Sequence, residues 1–364
     1  MADHVLVAGA GGLVGRAAMQ HFAQKRVKTT AVSRRRPYVT YGANFACLDL
    51  ADETACAETL GGLTDITQIV FGAVYEEPWD IVGGWTRDSH VKRNALMLRN
   101  TVEAVDRASS RLRNVVVLQG PKAYGVHVRP MRPGAREDRD ETRDIPNFYW
   151  EQLDYIRDKQ VGKAWGWTVI RPALVIGMSA ASALNLIAAV GVYGALLRDK
   201  GLPLAYPGGP GMRPMEATDT ELMAHVFDWA GRTDAAQNQT FNVTNGEQFD
   251  LRDQWPGIAA ALGMEIGPEA PQSLAEELPK FSADWDRVRA KHGLIAGGMD
   301  AFLSGSPQLA DFVLAGKATG EPRASSAMSC IKIRQAGFNE TLYSDAMFAK
   351  WFARYQADGL LPRP

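Results

Sequence analysis

Two side chains in this sequence could run acid–base chemistry on a bound small molecule. Tyr149 stands at the head of a helical pattern in DIPNFYWEQLDYI (144–156), where a phenol O–H could face a reacting oxygen. A phenol used in this way is served by a cation nearby, and a lysine one helical turn further on would supply it. That position is Leu153. The alternative cation is Lys122, in NVVVLQGPKAYG (114–125), just past the end of a strand. In open α/β sheets the strand ends are where ligands bind, so Lys122 could reach the same spot as Tyr149. A lysine there would favour tyrosinate, orient the phenol, or hold a sugar hydroxyl.

A second constellation lies at the start of the chain. VLVAGAGGLVGRAA (5–18) places Gly9, Gly12 and Gly15 between an apolar strand and a helical pattern. Such a turn lets backbone approach a pyrophosphate closely, with the free N–H groups of the helix N-terminus facing it. Glycines also mark ordinary turns, and it is the strand–turn–helix context that points to a dinucleotide. The next strand ends in AVSRRRP, with Ser33, Arg34, Arg35 and Arg36 and no acid. Guanidinium groups suit a ribose 2′-phosphate, which an acid would repel, so NADPH is the expected cofactor over NADH. After the third strand Asp49 could accept from an adenine amino group, or simply cap a helix.

These groups need a scaffold that brings strand ends together. Short β-rich runs at 5–9, 28–33, 68–75, 114–120 and 167–172 alternate with helical patterns such as 13–25 and 90–108. Continuous apolar strands alternating with helices predict an α/β fold, a doubly wound parallel sheet covered on both faces. Past Gly177 the segments become longer, more helical, and richer in aromatics and Met. The expected division is a nucleotide-binding domain over 1–177, to which 214–245 return, and a smaller, mainly helical C-terminal cap over 178–213 and 246–364. The stretch 131–144, MRPGAREDRDETRD, reads as a solvated excursion.

Composition narrows the classes. With 46% hydrophobic and 22% charged residues and a net charge of -1, the 364-residue chain gives no support for nucleic-acid or membrane-surface binding, both of which favour a basic excess. The longest apolar stretch, 183–197, is short for a bilayer and ends in Arg-Asp-Lys. Cys47, Cys56 and Cys330 have no metal-ligand spacing, the six histidines form no metal cluster, and no secretory pattern leads the chain, so no metal and a cytoplasmic location are expected.

At this point the sequence resembles a known family, the progesterone 5-beta-reductase and iridoid synthase-like reductases, a divergent branch of the extended short-chain dehydrogenases. That family ends its strand in Thr-Gly-Thr-Lys-His-Tyr, and here stands Gln119-Gly120-Pro121-Lys122-Ala123-Tyr124. Its helix signature Asn-Phe-Tyr-Tyr is matched by Asn147-Phe148-Tyr149-Trp150, and further similarity runs through RPALVIG (171–177) to the segment 332–355. Pro121, Ala123 and Trp150 depart from the pattern, and Gly120 stands where extended short-chain dehydrogenases place a substrate-holding serine. The resemblance implies a Rossmann-type core and a homodimer. It also implies NADPH-dependent reduction of the C=C bond of a small apolar enone or enal, with Tyr149 on the enolate oxygen and Lys122 assisting. Carbonyl reduction and a non-catalytic NADP-sensing regulator are the rivals. The implied cofactor contacts are Gly9, Gly12, Leu13, Val14 and Gly15 in the turn, then Ser33, Arg34, Arg35, Asp49, Leu50, Ala73, Gln119, Tyr149, Pro172 and Val175. Tyr75, Phe148, Asn185 and Phe348 are the implied substrate contacts. Each of these four could equally pack in a core. Trp79 is a further candidate wall of the nicotinamide pocket.

Overall fold

The computed structural model describes residues 3–77, 80–180, 182–210, 214–314 and 326–364; Trp79 lies outside them. Seven strands form one sheet: β1 (His4–Ala8), β2 (Lys28–Ser33), β3 (Asn44–Cys47), β4 (Gln68–Phe71), β5 (Asn114–Leu118), β6 (Gly166–Pro172) and β9 (Gln239–Val243). Their order is β3-β2-β1-β4-β5-β6-β9, and every pairing is parallel. The strand order reverses between β1 and β4, the switch point where an open sheet leaves a crevice for a ligand. A separate parallel pair joins β7 (Leu174–Ile176) to β8 (Ala217–Asp219).

Alternation along the strands explains why both faces carry helices. In β1, Leu6 and Ala8 join one apolar cluster while Val5 and Val7 join another. The first cluster is closed by the helices Asp88–Ala108 and Phe148–Gln160, and Leu153 lies within it, wholly buried. Burying a leucine there is worth roughly 1.5–3 kcal/mol, which a lysine would forfeit. Leu153 is therefore a core residue. The second cluster is closed by Leu13–Gln24 and Thr220–Ala230.

A third cluster forms the cap. The helices Leu186–Asp199, Leu251–Ala261, Ser306–Leu314 and Ser344–Ala357 enclose Trp255, Trp285, Trp351 and Phe352. The chain does not stay there from 246 onward. Ile333 and Phe338 pack in the sheet cluster with Phe241, so the segment around the Ile331–Gln335 helix belongs to the nucleotide domain. Among the described residues no helix is long and apolar enough to cross a membrane.

The stretch 131–144 is tied down, contrary to the solvated excursion its charges suggest. Arg171 on β6 is fully buried and donates to Glu141 at 2.6 Å, while Glu137 accepts the Asn242 N–H at 2.7 Å. Ala135 bridges to Met328 and is fully buried. The acids that look like a solvated run satisfy polar groups at the ends of β6 and β9.

Candidate active site

The crevice at the switch point holds a groove of about 550 Å³ lined by the Gly9–Gly12 turn, the arginines after β2, and Asp49, Leu50 and Ala73. Gly9 has φ +89°, and a Cβ there would stand 2.7 Å from the Ala73 nitrogen. A Cβ on Gly15 would collide with the Gly9 carbonyl, so the turn and helix can be this close only with glycine at both places. Gly12 caps the Leu13–Gln24 helix without a side-chain bond, which leaves the N-terminal N–H groups free to face phosphate oxygens. Arg34 and Arg35 are exposed at the groove edge and make no ion pair among the described residues. The Ser33 hydroxyl shapes that edge by donating to the Arg35 carbonyl at 2.7 Å. Asp49 caps Ala51 at 3.0 Å and pairs with Arg93 at 3.5 Å while lining the groove.

A second cleft, of about 330 Å³, continues from the first past Gly12, Ala73 and Glu76, which border both. It brings together Tyr149, Lys122, Phe148, Gln119, Pro172 and Val175. Asn147 caps the tyrosine helix by accepting the Tyr149 N–H at 3.1 Å, which sets the phenol over the ends of β5 and β6. The Gln119 amide is spent on positioning: it donates to the Tyr149 carbonyl at 3.0 Å and accepts from Arg171 at 2.8 Å. A Cβ on Gly120 would lie 3.3 Å from the Tyr149 hydroxyl, so the phenol oxygen comes up against the bare glycine where a serine side chain would crowd it.

Lys122 sits in the 3-10 turn Pro121–Tyr124, with Pro121 in its first turn, where a missing N–H costs nothing. Its ammonium stands over Trp85, Phe148 and Tyr149, 4.4, 5.1 and 5.3 Å from the ring centroids. Burial brings its pKa down to about 8, opposed by the carboxylate of Glu76. The tyrosine behaves differently from the sequence expectation of tyrosinate. Burial, reinforced by Glu76, pushes the Tyr149 phenol up, with Arg171 opposing and no lowering from Lys122. The upward shift favours the protonated phenol over tyrosinate.

Several groups here escaped the sequence reading. Glu76 accepts from Trp85 Nε1 at 2.9 Å and meets His90 Nε2 at 3.3 Å, with its side chain only 4% exposed. Its one signal was a pair of acids just beyond β4. Arg16 reaches the nucleotide groove beneath Tyr38 and pairs with Asp358 at 3.6 Å. Glu216 lines the second cleft, and burial raises its carboxyl to about 7. His127, beside Trp85, is held down to about 4 by burial and by Lys122.

Three expected substrate contacts lie elsewhere. Tyr75 lines the nucleotide groove, with Arg93 stacked 4.2 Å from its ring centroid. Asn185 is 1% exposed and caps the Leu186–Asp199 helix, its amide donating to Tyr355 at 2.6 Å. Phe348 is on the inner side of its helix, packed edge-on against Phe249 in the cap core with ring centroids 5.8 Å apart. Only Phe148 of the four lines the cleft.

Fold and cleft together define a Rossmann-type protein of the short-chain dehydrogenase/reductase kind. Its structure resembles a UDP-glucose 4-epimerase from Brucella ovis solved with NAD, at TM-score 0.67 and 14% identity, covering 97% of this chain and 98% of that one. A short-chain dehydrogenase/reductase superfamily protein from Agrobacterium tumefaciens matches at TM-score 0.62 and 16% identity, covering 98% of each chain. The chain belongs to the family of the PRISE-like Rossmann-fold domain, whose model matches residues 52–362. It thus falls in the progesterone 5-beta-reductase and iridoid synthase-like group that its motifs resemble. Curated relatives include a short chain dehydrogenase of Penicillium aethiopicum, 28% identical over 100% of both chains. A second is an (S)-8-oxocitronellyl enol synthase of Antirrhinum majus, 29% identical over 69% of this chain and 65% of that relative.

Proposed function

We propose that this protein reduces the C=C bond of activated enones or enals with NADPH. The observation that carries the reading is the pairing of the Tyr149 phenol with a caged Lys122 in the second cleft, with Gly120 leaving no side chain between them and the ends of β5 and β6. A hydrogen-bond donor aimed at a carbonyl oxygen is most useful where charge develops there, as happens when the β-carbon of an enone accepts a hydride. The reduced nicotinamide supplies that hydride when bound. The carbonyl oxygen takes the displaced electron pair and a proton, which Tyr149 is placed to deliver, and the product is the enol. Lys122 adds a positive charge to an apolar wall, where it acts with little screening. Glu76 holds that charge against desolvation. The turn fits a dinucleotide because glycine at Gly9 and Gly15 lets strand, turn and helix pack backbone to backbone with the helix N-terminus facing the groove, and Arg34 and Arg35, without an ion pair among the described residues, favour the 2′-phosphate. The enol synthase relatives, named for an enol product, are consistent with the same chemistry.

The test is NADPH oxidation with 2-cyclohexen-1-one, an α,β-unsaturated aldehyde and its saturated analogue, with products identified by mass and chromatography. Saturated carbonyl products from the first two, and no turnover of the third, are expected. Alcohols from both unsaturated and saturated aldehydes would establish carbonyl reduction instead.

A further inference from the structure

The second cleft contains one carboxyl group that the reaction does not use. Glu216 precedes β8, 7% exposed, on a segment separate from those that carry Tyr149 and Lys122. One of its oxygens accepts the Met328 N–H at 2.6 Å; the other has no hydrogen-bond partner among the described residues. The cleft that Glu216 lines is largely apolar, with Leu174, Met215, Leu309 and Val313 in its wall. No ion pair relieves it among the described residues, and Arg334 attracts it only from a distance. That second oxygen is open to the cleft, and a ligand filling the cleft strips it of water, which costs free energy unless the ligand donates to it. Burial already raises the carboxyl to about 7.

We propose that Glu216 is a substrate-recognition residue, and that the substrates of this cleft carry a hydroxyl remote from the conjugated carbonyl, donated to the free oxygen of Glu216. The inference rests on the enone-reductase reading for the reaction, but not for the binding preference. A carboxylate accepts and does not donate, so a remote ketone of the same size leaves both groups unsatisfied. Sites built to pair a substrate polar group reject mismatched analogues strongly.

The experiment compares a bicyclic enone diketone with its remote mono-alcohol at pH 8, where Glu216 is ionised, and includes the unsubstituted enone as reference. In the wild type the alcohol should be favoured over the diketone by about 10–100-fold in kcat/KM. In Glu216→Gln, whose amide can still accept from Met328 and now also donates to a ketone, that ratio should fall toward 1. The unsubstituted enone, measured in both proteins, gives the baseline against which the alcohol-to-diketone ratio is read. A wild-type ratio near 1, or a ratio that survives in Glu216→Gln, would overturn the proposal. So would an equal loss for all three substrates with weakened NADPH, which would mark Glu216 as a cofactor contact. Should no enone be turned over, the reduction reading fails by itself, and the same ratio is read as Kd from quenching of Trp85 fluorescence in the cleft. Should Glu216→Gln fail to fold, Glu216→Asp, with its carboxylate drawn back by one methylene, must shrink the alcohol preference in its place.

Discussion

Replacing Glu76 by glutamine should move the pH limit of turnover. Lys122 is buried, its pKa is brought down to about 8, and Glu76 is the carboxylate that keeps it from falling further. No ion pair joins the two among the described residues, so their attraction lies below the ~4 kcal/mol of unit charges ~4 Å apart at an effective dielectric of ~20. Half that value, ~2 kcal/mol, corresponds to about 1.5 pK units. The sign follows from the charge: a lysine is cationic below its pKa and loses its proton as pH rises through it. Turnover that depends on the Lys122 cation should therefore fall above pH 8 in the wild type. In Glu76→Gln the fall should begin about 1–2 units lower, near neutrality. Tyr149 cannot supply this limb, because burial has moved its titration well upward. Glutamine can still accept from Trp85 and so preserve the wall of the cleft. The assay is kcat against pH from 5.5 to 9.5 at saturating NADPH and enone. An alkaline limb that stays in place in Glu76→Gln, or one that persists in Lys122→Met, would refute the reasoning.

Three further outcomes are expected. Tyr149→Phe should lower kcat by about 100-fold or more with little change in NADPH affinity, since the phenol serves the reacting oxygen; fluorescence titration and steady-state kinetics separate the two. Arg34→Ala combined with Arg35→Ala should weaken NADPH binding by about 10–100-fold and leave NADH nearly untouched, and an equal loss for both cofactors would sink the 2′-phosphate assignment. Gly120→Ala places a methyl 3.3 Å from the Tyr149 hydroxyl, tight enough to displace the phenol, so kcat should drop several-fold while thermal stability changes little. Unchanged kcat in that variant would mean the phenol is not held where the structure has it.

The α/β alternation was legible because the central parallel strands are short continuous apolar runs buried on both faces, and the glycine turn because sterics leave no other residue possible there. Lys122 and Tyr149 were readable as a pair only through their motifs; nothing in their spacing told which face each would present. Leu153 looked like a gap in a catalytic pattern and is core, since burial on a helix depends on the partner sheet. Asn185 and Phe348 were misplaced for a similar reason: a cap residue and an inner-face aromatic carry the same letters as binding residues. Glu76, Glu216 and Arg16 were invisible because a charged group's role depends on what surrounds it in space, and Lys122, Met328 and Asp358 come from distant segments. The acids of 131–144 misled in the opposite direction, since a charge-rich run looks the same whether water or buried arginine satisfies it.

The cap is threaded, not appended. Its core draws mainly on residues 176–206, 249–314 and 347–361, and between them the chain returns to the seven-stranded sheet at β9 and again at Ile333. Pairing so many segments distant in sequence raises the loop-closure cost before stabilising contacts form, which predicts slow folding and no cap that folds alone. For anyone recasting the substrate range, this rules out transplanting the cap between relatives as one cassette. A graft would need several cuts inside one cooperative unit, so diversification by substitution at the cleft wall is the route the architecture leaves open.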